Sequence, residues 1–105
     1  MNSTVTKLTE ANFDAIKGKG TVLIDFYATW CSPCSAQAPI LDKLAKELGD
    51  KVSIGKLNVD DYPEIASQYS VMSLPTLLIL KNGQVKNTFV GLQSEKVLKK
   101  ALDNA

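Results

Sequence analysis

Apolar and polar positions along the chain fall into two rhythms, short β-rich runs and longer amphipathic stretches, with no internal repeat, low-complexity segment or linker between them. Val5 to Leu8 predicts a short edge strand. Thr9 can cap a helix from about Glu10 to Lys17, with Phe13 and Ile16 on one face, and Gly18-Lys19-Gly20 stops it. Thr21 to Ala28 is apolar on both faces except for Asp25, the pattern of a buried central strand. The longest helix is predicted from about Ser32 to Leu48, with Ile40, Leu41, Leu44, Ala45 and Leu48 on one stripe and Asp42, Lys43, Lys46 and Glu47 opposite. Pro33 suits its first turn, and Pro39 lies inside it, where a kink is expected.

Val52 to Val59 predicts the next strand, and Asp60-Asp61-Tyr62-Pro63 starts a short helix through Tyr69, with an aspartate as cap. Thr76 to Leu80 and Gln84 to Val90 flank Asn82-Gly83, a strong hairpin signal. A last helix, about Ser94 to Asp103, should bury Val97, Leu98, Ala101 and Leu102. The order β-α-β-α-β-α-β-β-α implies an α/β fold with a mixed sheet, parallel through the crossovers and antiparallel at the hairpin.

Composition narrows the function classes. At 105 residues the chain is read as one domain, residues 1-105, with 45% apolar and 22% charged residues, ordinary for a globular protein. Twelve basic against eleven acidic residues leave a net charge of +1, which offers no footprint for nucleic acid or an anionic membrane. Met1 to Glu10 lacks the apolar core of a signal peptide, and no apolar run approaches the ~20 residues of a membrane span. A cytoplasmic location is the resulting expectation, and Asn2-Ser3-Thr4 is read as a coincidental glycosylation match.

The candidate chemistry is Trp30-Cys31-Ser32-Pro33-Cys34, which holds both cysteines of the chain. Two thiols at this spacing can close a disulfide across one turn or attack another molecule's disulfide. At a strand-to-helix junction in a βαβ-like pattern, C-x-x-C is a redox signature. In a reducing compartment such a pair points to catalysis or metal binding rather than a structural staple. Structural zinc needs four ligands, and two cysteines without a histidine supply half a site, so zinc would require a dimer.

With Asp25-Phe26-Tyr27-Ala28, Trp30-Cys31-x-Pro33-Cys34, Pro39, Asp60, Pro63, Leu74-Pro75-Thr76, Asn82-Gly83 and Val90-Gly91, the chain resembles the thioredoxin family over essentially its whole length. The resemblance implies a thioredoxin fold, a central mixed five-stranded sheet flanked by four helices, and dithiol–disulfide exchange with no bound cofactor. It implies protein substrates carrying disulfides, thioredoxin reductase as electron donor, and a monomer. Cys31 is then the attacking thiolate. An ordinary cysteine, with a pKa of roughly 8.5, is only about 3% ionised at neutral pH, and a helix N-terminus favours the anion. Cys34, one turn on, resolves the mixed disulfide and by resemblance is the more buried thiol of higher pKa. It needs a base, the chain has no histidine, and Asp25 is the candidate, with a pKa raised by desolvation and a proton path through water.

Lys56 resembles the lysine that neighbours this aspartate in the family, and read by itself is a snorkelling surface lysine. The resemblance makes the Leu74-Pro75 bond cis and turned toward the cysteines, with the Leu74 backbone offered to an extended substrate. Trp30, Ser32, Pro33, Met72, Ser73, Leu74, Pro75 and Gly91 together make the expected substrate-binding set. Three positions depart from the family pattern: Ser32 replaces the usual glycine, Ser35 a common basic residue, and Met72 a frequent arginine. No Lys or Arg lies between Gly20 and Asp42. One charge at about 8 Å in water contributes only roughly 0.5 kcal/mol, less with salt, so the helix N-terminus should dominate. The expectation is retained activity with a shifted redox potential and partner choice. Two other readings stand beside a reductase: an oxidase or isomerase of an oxidising compartment, and a non-catalytic binding module using the surface of Trp30, Met72 and Leu74.

Overall fold

The computed structural model describes residues 4–105. Asn2 and Ser3 of the Asn-Ser-Thr tripeptide lie outside the described residues. Nine main elements follow in the predicted order: β1 (Thr6–Lys7), α1 (Phe13–Lys17), β2 (Thr21–Tyr27), α2 (Ser32–Leu48), β3 (Ser53–Asn58), α3 (Pro63–Gln68), β4 (Thr76–Lys81), β5 (Gln84–Val90) and α4 (Glu95–Asp103). The strands form one five-stranded sheet in the order β1-β3-β2-β4-β5. β1 and β2 run parallel to β3, and β4 runs antiparallel to β2 and β5. The central place of β2 explains its composition, since neighbours on both edges and helices on both faces leave little of it exposed.

Alternation along β2 and β4 builds two core layers. Val22, Ile24 and Phe26 join Leu78 and Leu80 under Phe13 of α1 and Ala66 of α3. Leu23 joins Leu77 and Ile79 on the other face, under Leu41, Leu44 and Ala45 of α2 and Leu98 and Leu102 of α4. Asp25 is two residues on from Leu23, so it shares the α2 face. Asn82 and Gly83 turn the hairpin with φ of 53° and 85°, the left-handed pair that a two-residue connection with primed-turn geometry demands.

Four local expectations are corrected. α1 is shorter than predicted, because Thr9 caps a separate turn: its hydroxyl accepts from the Asn12 N–H, while the Asn12 carboxamide oxygen accepts from the Thr9 N–H at 2.7 Å. α3 has Tyr62 rather than an aspartate at its N-cap, with no side-chain cap bond. Val97 is 43% exposed, because the buried stripe of α4 is the narrower Leu98–Leu102 line. Ala101 packs only partly into the layer beneath α2 and α4, while Ile40 and Leu48 pack against that layer on the expected stripe. α2 itself continues through Pro39 to Leu48.

Candidate active site

β2 delivers Trp30 and Cys31 to the start of α2, and the local backbone explains the sharp change of direction. Cys31 is extended (φ −95°, ψ 112°) and serves as the N-cap residue, with Ser32 and Pro33 opening the helix. Its sulfur accepts from the Cys34 N–H at 3.3 Å, so the atom proposed to carry negative charge already occupies the position of a capping acceptor. The Cα atoms of Cys31 and Cys34 are 5.3 Å apart and the two sulfurs are bonded as a disulfide.

The cysteines are almost equally buried, at 6% and 5% exposure, so degree of burial does not distinguish them as the resemblance implied. Their surroundings do. Cys31 lines an open groove of about 520 Å³ with Trp30, Ser32, Pro33, Val59, Val71, Met72 and Leu74, a wall with no charged side chain. Cys34 lines a separate cavity of about 290 Å³, with Asp25, Lys56, Tyr27, Ser35 and Asp42 among its walls.

Asp25 is 3% exposed, and its Oδ1 has no hydrogen-bond partner among the described residues. Burial pushes its pKa up to about 7, against the opposing pull of the Lys56 charge. Lys56 is its register partner on β3, and the Lys56 Nζ lies 5.7 Å from the centre of the Tyr27 ring. Strand pairing therefore places carboxyl and ammonium on one side of the sheet, and both line the cavity that Cys34 lines.

The expected substrate set divides between groove and frame. Trp30 and Met72 stand 70% and 92% exposed at the groove. The Leu74-Pro75 peptide is cis, and the buried Pro75 offers its carbonyl to the Gly91 N–H at 2.8 Å. The Ser73 carbonyl accepts from the Thr76 hydroxyl, which closes the loop before β4. Ser73, Pro75 and Gly91 thus shape the edge behind the groove rather than its wall.

Sequence reading missed several contributors. Val59 and Val71 line the groove. The Asp60 carboxylate accepts from the Trp30 indole N–H at 2.7 Å, which orients the ring. Gln37 is fully buried and bonded to the backbone of Gln93. It falls on the same helical stripe as Cys34, Leu41 and Leu44, and a polar residue there was a legible signal. Among the described residues no group of three or more His, Cys, Asp and Glu side chains comes together as a metal would require.

The thioredoxin family model matches residues 4–104. The chain belongs to the thioredoxin family. Thioredoxins of Bacillus subtilis (strain 168) and Staphylococcus aureus are each 44% identical to it over 99 residues, 94% of this chain and 95% of theirs. Among solved structures, a mutant thioredoxin from Halobacterium salinarum NRC-1 superposes with a TM-score of 0.91 at 30% identity, covering 98% of this chain and 91% of that one. A second, described as the structural basis of the thiol resolving mechanism in yeast mitochondrial 1-Cys peroxiredoxin via glutathione/thioredoxin systems, gives 0.85 at 34% identity, covering 99% and 98%. The five-stranded mixed sheet with four helices is the thioredoxin fold. The chain is a thiol–disulfide oxidoreductase acting on protein disulfides.

Proposed function

We propose that Cys31 is the attacking thiol and Cys34 the resolving one, with Asp25 as proton acceptor and Lys56 as its electrostatic support. The observation that carries the assignment is the division of surroundings: Cys31 faces the open groove, and Cys34 faces the separate cavity that holds Asp25. The Cys31 thiolate attacks one sulfur of a substrate disulfide, forming a mixed disulfide and releasing the other sulfur as a thiolate. Cys34 gives its proton to Asp25 through water in the cavity and attacks the Cys31 sulfur. The Cys31–Cys34 disulfide forms, the second substrate thiolate leaves, and two electrons have passed to the substrate. Trp30, Ser32, Pro33, Met72 and Leu74 hold an extended substrate segment, with Ser73, Pro75 and Gly91 fixing the edge behind them.

In this reading the chain is a single-domain, monomeric, cytoplasmic protein that needs no bound cofactor, and thioredoxin reductase returns it to the dithiol. No helix among the described residues is long and apolar enough to cross a membrane. The uncharged groove favours apolar substrate segments and, with Ser32 and Ser35, a potential and partner set of its own. The test is trapping. Reduced Cys34→Ser should accumulate a mixed disulfide with native insulin, bonded through Cys31, and none with insulin whose disulfides have been reduced and the resulting thiols alkylated. An adduct on Cys34 in a Cys31→Ser variant instead would reverse the assignment.

A further inference from the structure

Gln37 is buried with no exposure at all, one turn beyond Cys34 on α2, and its carboxamide bonds the backbone of one distant residue through both its nitrogen and its oxygen. The Gln37 Nε2 donates to the Gln93 carbonyl at 3.1 Å, and the Gln93 N–H donates to the Gln37 Oε1 at 2.8 Å. This two-bond clasp mimics a rung of β-ladder between a helix and a loop 56 residues away. The chain of contacts continues toward the groove. The Gln93 Nε2 donates to the Gly91 carbonyl at 3.2 Å, and the Gly91 N–H donates to the Pro75 carbonyl at 2.8 Å. Pro75 follows Leu74, which lines the groove with Cys31. Gly91 has a φ of 92°, in the left-handed region that glycine adopts without strain.

We infer that Gln37 is a positioning residue that sets the Gly91–Pro75 edge of the substrate groove against the helix carrying the cysteines. The inference rests on the groove being the substrate site. A protein substrate laid along that edge needs the Leu74 backbone and the Cys31 sulfur at a fixed separation, and misplacement is felt in its binding and alignment. A small disulfide reaches Cys31 without using the edge.

The test is Gln37→Met, of similar length but unable to bond Gln93, assayed on insulin and on the small disulfide dithiobis(nitrobenzoate). Amide hydrogen exchange is followed at Gln93 and Gly91. KM for insulin should rise about fivefold, the ratio one neutral hydrogen bond sustains. The rate with the small disulfide should stay at the parent value, and both amides should exchange about tenfold faster. Unchanged Gly91 protection, or an equal change with both disulfides, overturns the inference. Should Gln37→Met fail to fold, Gln93→Pro removes the same N–H from the loop side and must give the same split. A parent protein that reduces the small disulfide but not insulin would instead overturn the groove reading on which the inference rests.

Discussion

Asp25 is the residue at which stability and chemistry pull in opposite directions. Its pKa stands at about 7 in the fold, against 3.8 for an ordinary aspartate, because burial disfavours the charge. Between those values the folded protein keeps a proton that the unfolded chain has lost. Stability therefore falls as pH rises from about 4 to about 7, and above that the full penalty, on the order of 4 kcal/mol, is in place. Asp25→Asn should raise stability by a few kcal/mol at about pH 8.5 and by nothing below pH ~4, where the parent carboxyl is protonated in both states. Urea unfolding at the two pH values measures it, and an equal gain at both would remove the linkage. The same variant should slow release of substrate from the Cys31 mixed disulfide by about a hundredfold, the lower range of general-base effects, in single-turnover experiments. The Lys56 charge opposes the burial effect. Lys56→Met should therefore move the pH midpoint of the release step upward, and an unmoved or lowered midpoint would separate Lys56 from the proton path.

At the scale of elements, the sheet shows which decisions are local and which are not. Short β-rich runs, the Asn82-Gly83 turn and the stripe of Ile40, Leu41, Leu44, Ala45 and Leu48 each reside within a short stretch of chain, and strands, hairpin and long helix follow from them. Gly55 is different. It pairs with Thr6 on β1 and Ile24 on β2, and a Cβ there would stand 2.8 Å from the Cγ and Cδ1 of Leu8. Leu8 arrives from far earlier in the chain and is packed into the layer beneath α1 and α3, so nothing near Gly55 in sequence announces the contact. The Asp60 carboxylate is likewise bonded by Trp30 from another segment, a contact that no local pattern announces. Gly55→Ala should push Leu8 out of its place and cost about 1–3 kcal/mol, as overpacking does. Thermal unfolding checks this, and a neutral outcome would mean that β1 shifts freely along its one neighbour.

For the whole molecule, the question is whether the redox pair also holds the fold together. The Cys31–Cys34 motif and the aspartate inside an apolar strand carry local signatures, whereas Lys56 read by itself is a surface lysine and is a candidate only through the family resemblance. The partition into a groove for Cys31 and a cavity for Cys34 was not legible, since Val59, Val71 and Leu74 join Cys31, and Tyr27 and Lys56 join Cys34, only when the sheet and α2 are assembled. That assembly rests on two apolar layers, and the cysteines touch only a small third group with Ala28, Tyr27, Val59 and Leu74. A disulfide closing so short a loop removes little chain entropy, about 2 kcal/mol in the loop-closure model. Replacing both cysteines, Cys31→Ser with Cys34→Ser, should then leave a cooperative unfolding transition, lowered by about 10 °C or less relative to the oxidised parent. Disulfide reductase activity should vanish completely, while docking of a substrate segment in the groove persists with an affinity within about threefold of the parent. Calorimetry, insulin reduction and binding of a disulfide-free substrate peptide read the three quantities separately. Loss of cooperative folding would make the disulfide structural, and retained reduction would place the chemistry elsewhere. Loss of binding with an intact fold would make the sulfurs part of the recognition surface itself.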